Sequence, residues 1–291
     1  MTGTDKSRRN KENPYSEPDE VTISSPSDLP LISVITINFN NASALEATLV
    51  SVQKQSYPAL EHIVIDGGSN DGSLEIIEKY QEDLAYWISE PDQGIYDAIN
   101  KGIDQSHGEL LNILNSGDCY TESILGTVAV HYQKHAFEIA LCDYIWVYPD
   151  RQLRISANPG MLKKGSAVCH QALFYQRHLH QSLGKYDLRY PLAADYHFVR
   201  RVYEKHEFLK ISESACYYQL GGVSENNFLQ YADEVRQISH SLHDPFWEVE
   251  RTYWFKFFKF YLRRAIVKLH LTPLLFVYRR LKYSNQFTSP E

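Results

Sequence analysis

ISVITINF, residues 32–39, is a run rich in β-branched residues with the length of a β-strand, and a polar turn and a helix-like stretch over 44–55 follow it. In that stretch Leu45, Leu49 and Val52 recur at the spacing of one helix face. The same order of apolar run and helical pattern then repeats, in the segments 62–66 with 74–80, 85–89 with 96–103, and a closing run at 110–114. This alternation predicts an α/β fold with a mostly parallel central sheet and right-handed crossovers.

The composition is that of a globular protein. Of the 291 residues, 43% are hydrophobic and 22% are charged, which excludes wholesale disorder and a polytopic membrane protein. The four cysteines form no C-x-x-C pair, so neither a zinc knuckle nor a redox motif is indicated, and a reducing cytoplasm fits them best. Residues 1–20 are charged and lack the apolar run of a secretory signal, so we expect the folded domain to stay in the cytoplasm.

The chain divides into three predicted parts. Residues 1–29, rich in Ser, Pro, Asn and charge, are predicted to be a disordered leader. Residues 30–244 are predicted to form one domain. Its apolar strands are spaced less regularly from about residue 137, and they are predicted over 137–146, 172–175 and 208–211. Residues 245–291 form a tail with nine Lys or Arg and three Asp or Glu, whereas the rest of the chain has twenty and thirty-three. Such an asymmetry predicts a partner for the basic tail.

Polar residues directly follow the first two predicted strands, where an open α/β sheet binds its ligands. They are Asn38 and Asn40 after the first strand, and Asp66, Gly68 and Ser69 at the end of the second. A carboxylate in this place can accept hydrogen bonds from a base or ribose, and glycine lets the backbone approach a ligand. The alternative is an ordinary strand-to-helix turn in which Ser69 or Asn70 caps the helix.

EPDQGIYDAINKGI, residues 90–103, adds a second group of candidates. Asp92 and Gly94 lie in a loop before a helix that carries Tyr96, Asn100 and Lys101. The amino terminus of such a helix favours a phosphate. An ordinary solvated helix lysine is the alternative for Lys101.

NSGD, residues 115–118, runs an apolar strand straight into a carboxylate. Magnesium or manganese takes few protein oxygens when phosphate oxygens and water complete its shell, so Asp118 at a strand end opposite bound phosphates suits such a cation. Asp118 is therefore the candidate metal ligand, with Asn115 and Ser116 beside it.

Taken in order, ISVITINFNNA, QSYPALEHIVIDGGSNDGS, EPDQGIYDAINKGI and NSGD resemble the family 2 glycosyltransferases of the GT-A fold, a Rossmann-like nucleotide-binding fold. That family includes bacterial enzymes that build O-antigen, exopolysaccharide and colanic-acid-type units. The resemblance covers about residues 31–220. It implies a nucleotide-sugar half over 30–120 and an acceptor half over 121–244.

The resemblance also implies roles for single residues. Asp66 and Asp92 match the family's base and ribose contacts, and Asp118 matches the last Asp of the D-x-D motif that binds metal and diphosphate. Because Asn115 or Ser116 stands at the first acidic position, the metal would have one carboxylate, which implies weak binding or partial metal independence. The other expected contacts to the nucleotide sugar are Asn38, Asn40, Gly68, Ser69, Gly94, Tyr96, Asn100, Lys101, Asn115 and Ser116.

HQALFY, residues 170–175, and ADYHFVRR, residues 194–201, resemble the family's acceptor-side motifs. The resemblance implies that Asp195 is the base of an inverting displacement, taking the proton of the acceptor hydroxyl; a helix-capping Asp is the alternative. The residues expected on the acceptor or diphosphate side are His170, Gln171, Arg200 and Arg201. A buried structural histidine and a surface salt bridge are the alternatives for His170 and for the arginines.

The tail is too interrupted by charge between residues 247 and 283 to span a bilayer. Its aromatic and apolar residues recur at helical spacing among Lys and Arg; they are Trp254, Phe255, Phe258, Tyr261 and Leu262. This pattern predicts an amphipathic helix on an anionic membrane surface, which residues 273–281 extend. A terminal helix packed on the catalytic domain or on a second protomer is the alternative.

These observations predict an inverting glycosyltransferase that moves a sugar from a UDP- or GDP-sugar to a lipid-linked glycan acceptor, at the inner face of the plasma membrane. A nucleotidyltransferase would carry a basic glycine-rich loop after the first strand, and residues 38–41 contain no Lys or Arg. An inactive relative that serves as a membrane scaffold stays open because the D-x-D motif is altered. Nucleic-acid binding is not expected, since the domain is acidic.

Overall fold

The computed structural model describes residues 28–165 and 168–269, apart from the side chains at 225, 263 and 267. Most of the predicted leader, 1–29, lies outside the described residues, as does the second tail segment, 273–281.

The first half of the domain is the predicted alternation of strands and helices. Its strands are β1 (Ile32–Asn38), β2 (Leu60–Asp66), β3 (Tyr86–Ser89) and β4 (Leu110–Asn115), and the helices between them are α1 (Ala42–Gln53), α2 (Ser73–Tyr80) and α3 (Ile95–Gln105). The four strands are parallel in the order β3-β2-β1-β4. The register places Asn38 opposite Asp66 and Asp66 opposite Ser89, so the carboxyl ends of three strands share one edge.

The second half makes the sheet mixed, which corrects the expectation of a mostly parallel sheet. Its strands are β5 (Cys119–Tyr120), β6 (Ile139–Tyr148), β7 (Arg151–Ile155), β8 (Leu173–Gln176) and β9 (Phe208–Gln219). β8 is antiparallel to β4 and β6, β5 to β9 and β7 to β6, whereas β6 and β9 are parallel. In the described residues the sheet therefore has nine strands, with the path β3-β2-β1-β4-β8-β6-β9-β5 and β7 beside β6.

The remaining helices are α4 (Ile124–His135), α5 (Leu179–Leu183), α6 (Ala194–Tyr203), α7 (Val223–Asn226), α8 (Phe228–Ser241) and α9 (Phe246–Lys268). Alternate side chains of β1 face opposite layers, as the period of a strand requires. Ile35 packs with Ile99 of α3, whereas Val34 packs with Val52 of α1. The sheet is thus covered on both faces, which leaves the edge beyond the strand ends as the place for polar groups.

Candidate active site

The carboxylate of Asp66 organises the edge where β1, β2 and β3 end. It is fully buried, and Asn38 Nδ2 (2.7 Å) and Ser69 Oγ (2.6 Å) donate to Oδ1, while Gly68 N (3.1 Å), Ser69 N (2.8 Å) and Ser89 Oγ (2.6 Å) donate to Oδ2. Burial alone would raise the pKa of Asp66, but the hydrogen bonds from Ser69, Ser89 and Asn38 outweigh it and lower the pKa. Asp66 is thus an ionised group that shapes the loop after β2.

The loops after β1 and β2 are tied together through Asn40. Its backbone N–H donates to Ser69 Oγ (2.8 Å), and its Oδ1 accepts from the backbone N–H of Asn70 (3.0 Å). Helix α2 begins after Gly72, so neither Ser69 nor Asn70 caps it. Beside these loops Asn38 Oδ1 is buried without a hydrogen-bond partner in the described part of the chain. An unsatisfied buried oxygen of this kind marks a place for a donor group.

Asp92 lies against the backbone of the loop after β2. A Cβ atom on Gly67 would come within 2.6 Å of Asp92 Oδ2, so the Asp92 side chain lies close to this backbone and would have to shift if residue 67 carried a side chain. Asp92 Oδ1 accepts from the N–H of Gly94 (2.8 Å), which has φ of 109° and open space around it. Unlike Asp66, Asp92 is only partly buried, and it lies beside the amino terminus of α3, where a phosphate is favoured.

Two candidates on α3 have partners within the protein. Lys101 pairs with Glu90 (Nζ to Oε1, 2.7 Å), and this hydrogen bond raises its pKa. The side-chain amide of Asn100 exchanges two hydrogen bonds with the backbone of Tyr186, at 2.9 and 3.0 Å. Asn100 therefore joins α3 to the second half of the domain.

Asp195 lies in the first turn of α6, where a second residue of α3 reaches it. Its Oδ1 accepts from the hydroxyl of Tyr96 (2.8 Å) and from the backbone N–H of Tyr196 (2.7 Å). Burial raises the pKa of Asp195, and the two hydrogen bonds oppose that rise. The N-cap position belongs to Ala193. Because both of these hydrogen bonds fall on Oδ1, Oδ2 is the oxygen left to accept a proton.

His170 lies in the same pocket as Asp195. This pocket, lined by Val168, His170, Leu173, Asp195, Tyr196 and Val199, is a tight space with no room for a water molecule. His170 Nε2 is 2.7 Å from the hydroxyl of Tyr186, whose ring stacks on Tyr96 with 5.7 Å between centroids. Burial lowers the pKa of His170 to about 4, so this histidine is neutral at neutral pH. The structure thus brings His170, Tyr96 and Asp195 together.

The carboxylate of Asp118 is buried, with only 5% of the residue exposed. Oδ2 accepts from Gln171 Nε2 (2.8 Å) and Oδ1 from the backbone N–H of Gln219 (2.9 Å). Burial raises the pKa of Asp118 to about 7, although the two hydrogen bonds oppose the rise. Gln171 therefore acts on the carboxylate that was expected to bind metal.

Asn115 and Ser116 stand at the end of β4. Asn115 Oδ1 is buried and has no hydrogen-bond partner among the described residues. Asn41 donates to Ser116 through its side-chain amide, both to the hydroxyl (2.9 Å) and to the carbonyl (3.0 Å). The strand end therefore offers one unsatisfied oxygen, while Ser116 fixes the loop.

Arg200 and Arg201 are committed to protein partners. Arg200 is fully buried and forms a two-pronged ion pair with Asp244 (2.8 and 2.9 Å). Arg201 donates to the backbone carbonyls of Leu183 and Lys185. Both terminal nitrogens of each guanidinium group have protein partners, and only the buried Nε atoms have none among the described residues. We therefore do not carry either arginine into the proposed diphosphate site, and neither is the surface pair that was the alternative.

A family model described as glycosyl transferase family 2 matches residues 33–188, more than half of the chain. This chain belongs to glycosyltransferase family 2. It is therefore an enzyme that transfers sugar groups. The matched span includes the loops after β1, β2 and β4, and Asp195 lies just beyond it.

Two curated relatives agree with the family assignment. The chain is 34% identical over 207 residues to an uncharacterized glycosyltransferase of Mycobacterium tuberculosis, covering 68% of this chain and 78% of the relative. It is 32% identical over 174 residues to a PGL/p-HBAD biosynthesis glycosyltransferase of Mycobacterium bovis, covering 58% and 68%.

Solved structures confirm the GT-A fold of this family 2 member. S. aureus TarS in complex with UDP superposes with a TM-score of 0.59 at 21% identity, covering 71% of this chain and 64% of that of TarS. Mannosyltransferase PcManGT from Pyrobaculum calidifontis, in complex with GDP-Man and Mn²⁺, has a TM-score of 0.60 at 18% identity, covering 81% and 73%. At these identities the likeness concerns the fold.

The oxygens at the end of β4 fit a hard divalent cation that this glycosyltransferase would share with its donor. No three His, Cys, Asp or Glu side chains group together in the described ranges, so a complete protein cage is absent there. The unsatisfied Asn115 Oδ1 and the Asp118 carboxylate are oxygen ligands of the kind that magnesium and manganese prefer. Such a set suits a cation that takes most of its ligands from phosphate and water.

Sequence reasoning missed three residues of the site. Ser89 and Gln219 donate to Asp66 and Asp118, and Tyr186 links His170 to α3. The register of β3 beside β2 would have pointed to Ser89, because the last residue of each strand lies at the same edge. Gln219 had no local signal, since its strand was expected to end at residue 211.

Proposed function

We propose that this family 2 enzyme is an inverting glycosyltransferase that moves a sugar from a UDP- or GDP-sugar to a lipid-linked glycan acceptor, in the biosynthesis of a cell-surface polysaccharide. The observation that carries the proposal is the hydrogen bond between Tyr96 and Asp195. It joins α3 to α6. In the proposal the amino terminus of α3 lies at the strand ends where the donor binds, and the first turn of α6 carries the base. In this proposal the strand ends that bind the nucleotide and the carboxylate that acts as the base belong to one site.

In the proposed reaction the acceptor hydroxyl oxygen attacks the anomeric carbon as the bond from that carbon to the diphosphate breaks. The diphosphate leaves with the bonding electrons, and Asp195 Oδ2 takes the hydroxyl proton. Tyr96 holds Oδ1 in place during this step. His170, which is neutral and close to Asp195, lies on the acceptor side in this proposal.

The donor lies, in this proposal, across the strand ends. Asp92 and the loop at Gly68 receive the nucleoside, because Asp92 is partly exposed while Asp66 holds the loop from behind. The diphosphate lies near Gly94 and the amino terminus of α3. The neighbours named above bind UDP or GDP-Man, which supports a nucleoside diphosphate sugar for this fold.

Asn115 and Asp118 would hold the divalent cation. Bound there, magnesium or manganese offsets the negative charge that builds on the departing diphosphate. Gln171 and the Gln219 N–H fix the Asp118 carboxylate, whose pKa is raised by burial. One carboxylate implies modest metal affinity.

The name of the M. bovis relative, a PGL/p-HBAD biosynthesis glycosyltransferase, supports a role in the biosynthesis of a cell-surface glycan, for which we propose a lipid-linked acceptor. The enzyme would then work at the cytoplasmic face of a membrane, where it meets an acceptor anchored in lipid.

The proposal is tested by the thermal midpoint of the full chain with UDP, GDP, CMP and dTDP, each with and without magnesium or manganese. A ligand that binds only the folded state raises the midpoint with its occupancy. We expect a shift with UDP or GDP that is larger with metal. The absence of a shift with every nucleotide would favour the inactive scaffold.

Asp195→Asn separates binding from chemistry. We expect this variant to keep the nucleotide-induced shift and to lose transfer by a factor of about 10² to 10⁴, because the base is gone while the donor edge is untouched. Transfer is measured with the nucleotide sugar that gives the shift and a membrane extract as acceptor. Near-normal transfer would overturn the assignment of the base.

A further inference from the structure

Helix α9 packs on α8 through its polar side. Glu250 of α9 accepts from Arg236 Nε (2.7 Å), with His240 Nε2 at 2.9 Å, and Lys256 donates to the carbonyl of Gly165. Next to these polar contacts Phe260 stacks on Phe228 of α8, with 5.1 Å between ring centroids. Two charged side chains of α9, Glu250 and Lys256, are therefore engaged with the rest of the domain.

The other side of α9 exposes large apolar residues to solvent. Their exposed fractions run from 46% for Tyr261 to 80% for Trp247; the set is Phe246, Trp247, Trp254, Phe255, Phe258, Tyr261 and Leu262. A helix on the surface of a globular protein normally has the reverse arrangement, with its apolar stripe inward. So many exposed large apolar side chains on one helix indicate a surface for a partner. We name these seven residues the aromatic face.

Positive charge borders the aromatic face. The exposed charged side chains described on α9 are Arg251, Lys259, Arg264 and Lys268 with one acid, Glu248. The partner must therefore accept aromatic side chains and carry negative charge at the same time.

An apolar face can be covered by a second copy of this chain or by a lipid surface. The positive charges on α9 favour the lipid surface. Pairing two copies of α9 face to face would bring Arg251, Lys259 and Arg264 against their like. Elsewhere in the described chain the exposed large apolar side chains are scattered over separate elements, as Phe39, Leu74, Met161, Leu188 and Val223. Apart from the aromatic face itself, the described residues of a second copy therefore offer no apolar patch that matches it.

No helix in the described ranges is long and apolar enough to cross a membrane. A helix with aromatic and basic residues that does not span lies in the plane of the bilayer surface. Trp, Tyr and Phe lie at the level of the headgroups, and Lys and Arg reach outward to lipid phosphates.

We propose that α9 lies flat on an anionic lipid bilayer, with its aromatic face inserted at the headgroup boundary and its polar side holding the catalytic domain. Anionic lipid attracts the exposed Lys and Arg side chains of α9, and the aromatic side chains supply the apolar contact. The proposal does not depend on the chemistry of the site, because lipid binding needs neither donor nor acceptor.

The test is co-sedimentation of the full chain with vesicles of phosphatidylcholine alone and of phosphatidylcholine mixed with an equal amount of phosphatidylglycerol. We expect binding to the anionic vesicles only. The double variant Phe255→Ser, Phe258→Ser should weaken that binding about tenfold or more, since two large apolar side chains no longer enter the boundary. Lys259→Gln with Arg264→Gln should weaken it and reduce its dependence on salt.

The matched control is Met161→Ser with Leu188→Ser, which removes two exposed apolar side chains away from α9 and should leave vesicle binding unchanged. Circular dichroism and the nucleotide-induced thermal shift check that each variant is folded. Equal sedimentation of the wild type and the Phe255, Phe258 variant would overturn the proposal. So would a stable dimer, measured by light scattering, that the same double variant dissociates.

Discussion

The hydroxyl of Tyr96 is the contact on which the two halves of the site depend. Tyr96→Phe keeps the ring that stacks on Tyr186 and removes the hydrogen bond to Asp195 Oδ1. We expect turnover to fall about 10- to 100-fold through a misplaced base, with the donor KM unchanged. Because the lost hydrogen bond had opposed the rise in the pKa of Asp195, the acidic limb of the pH profile should move to higher pH. Steady-state rates against pH measure both effects.

Tyr57→Phe is the control for this prediction. It also removes one buried tyrosine hydrogen bond, from Tyr57 to the carbonyl of Pro30 (2.7 Å), away from the site. The pH profile of this variant should match that of the wild type. If Tyr96 instead contacts the nucleotide, as its sequence position suggested, Tyr96→Phe would raise the donor KM and leave the acidic limb in place.

The sequence identifies polar residues at the ends of the strands, but it does not show what their side chains contact. Asp66 and Asn100 follow the pattern expected of donor contacts, yet their polar groups are used by Ser69, Ser89 and the backbone of Tyr186. Local sequence cannot distinguish a side chain that contacts the ligand from a side chain that holds the site in place. The hydrogen-bond partners of such side chains are distant in the chain.

At the scale of elements, the first half of the sheet was predictable because each strand is a continuous apolar run followed by its own helix. β9 was predicted only over 208–211, whereas it extends from Phe208 to Gln219. Polar residues at 212–214 interrupt its apolar run, and the register with β6 shifts at Cys142 and Asp143, as in a bulge. Pairing with the distant strand β6 therefore decided the length of β9. Pairing between segments that are far apart in the chain also made the sheet mixed.

The packing of α3 on β1 gives a prediction at this scale. A Cβ atom on Gly102 would lie 2.3 Å from Ile35 Cγ2. Gly102→Ala should therefore lower the free energy of unfolding by about 1 to 3 kcal/mol, since the helix must move off the sheet. Gly126→Ala in α4 is the control: its Cβ meets nothing within 4 Å, so it should raise stability by about 0.5 to 1 kcal/mol. Denaturant unfolding measures both; equal effects would show that α3 is loosely packed.

At the scale of the whole molecule, the charge asymmetry of the chain was visible in the sequence, and so was the aromatic spacing of the tail. The sequence did not show whether the aromatic face points toward the domain or toward solvent, because the helical spacing is the same in both cases. The contacts of Glu250 and Lys256 with the domain decide it, and they involve Arg236 and Gly165, which no pattern in the tail identifies.

The interior also holds histidines that make the whole molecule sensitive to acid. Burial lowers the pKa of His62 to about 3 and the pKa of His170, His180 and His197 to about 4. Between pH 6.5 and about 4 the unfolded chain binds protons at these histidines that the folded chain does not, so stability falls as pH falls. Asp118, with its pKa raised to about 7, partly opposes this loss.

His62→Gln isolates one of these histidines. His62 is 3% exposed, and its Nε2 lies 3.0 Å from Thr36 Oγ1, a partner that glutamine can also serve. The free energy of unfolding, measured in denaturant at pH values between 5 and 6, should depend on pH less steeply in this variant, by about 1 kcal/mol per pH unit, because one fewer proton is taken up on unfolding. His135→Gln, at an exposed position at the end of α4, should leave the slope unchanged. An unaltered slope in His62→Gln would mean that His62 titrates alike in the folded and unfolded chain, and that acid acts on the fold through other groups.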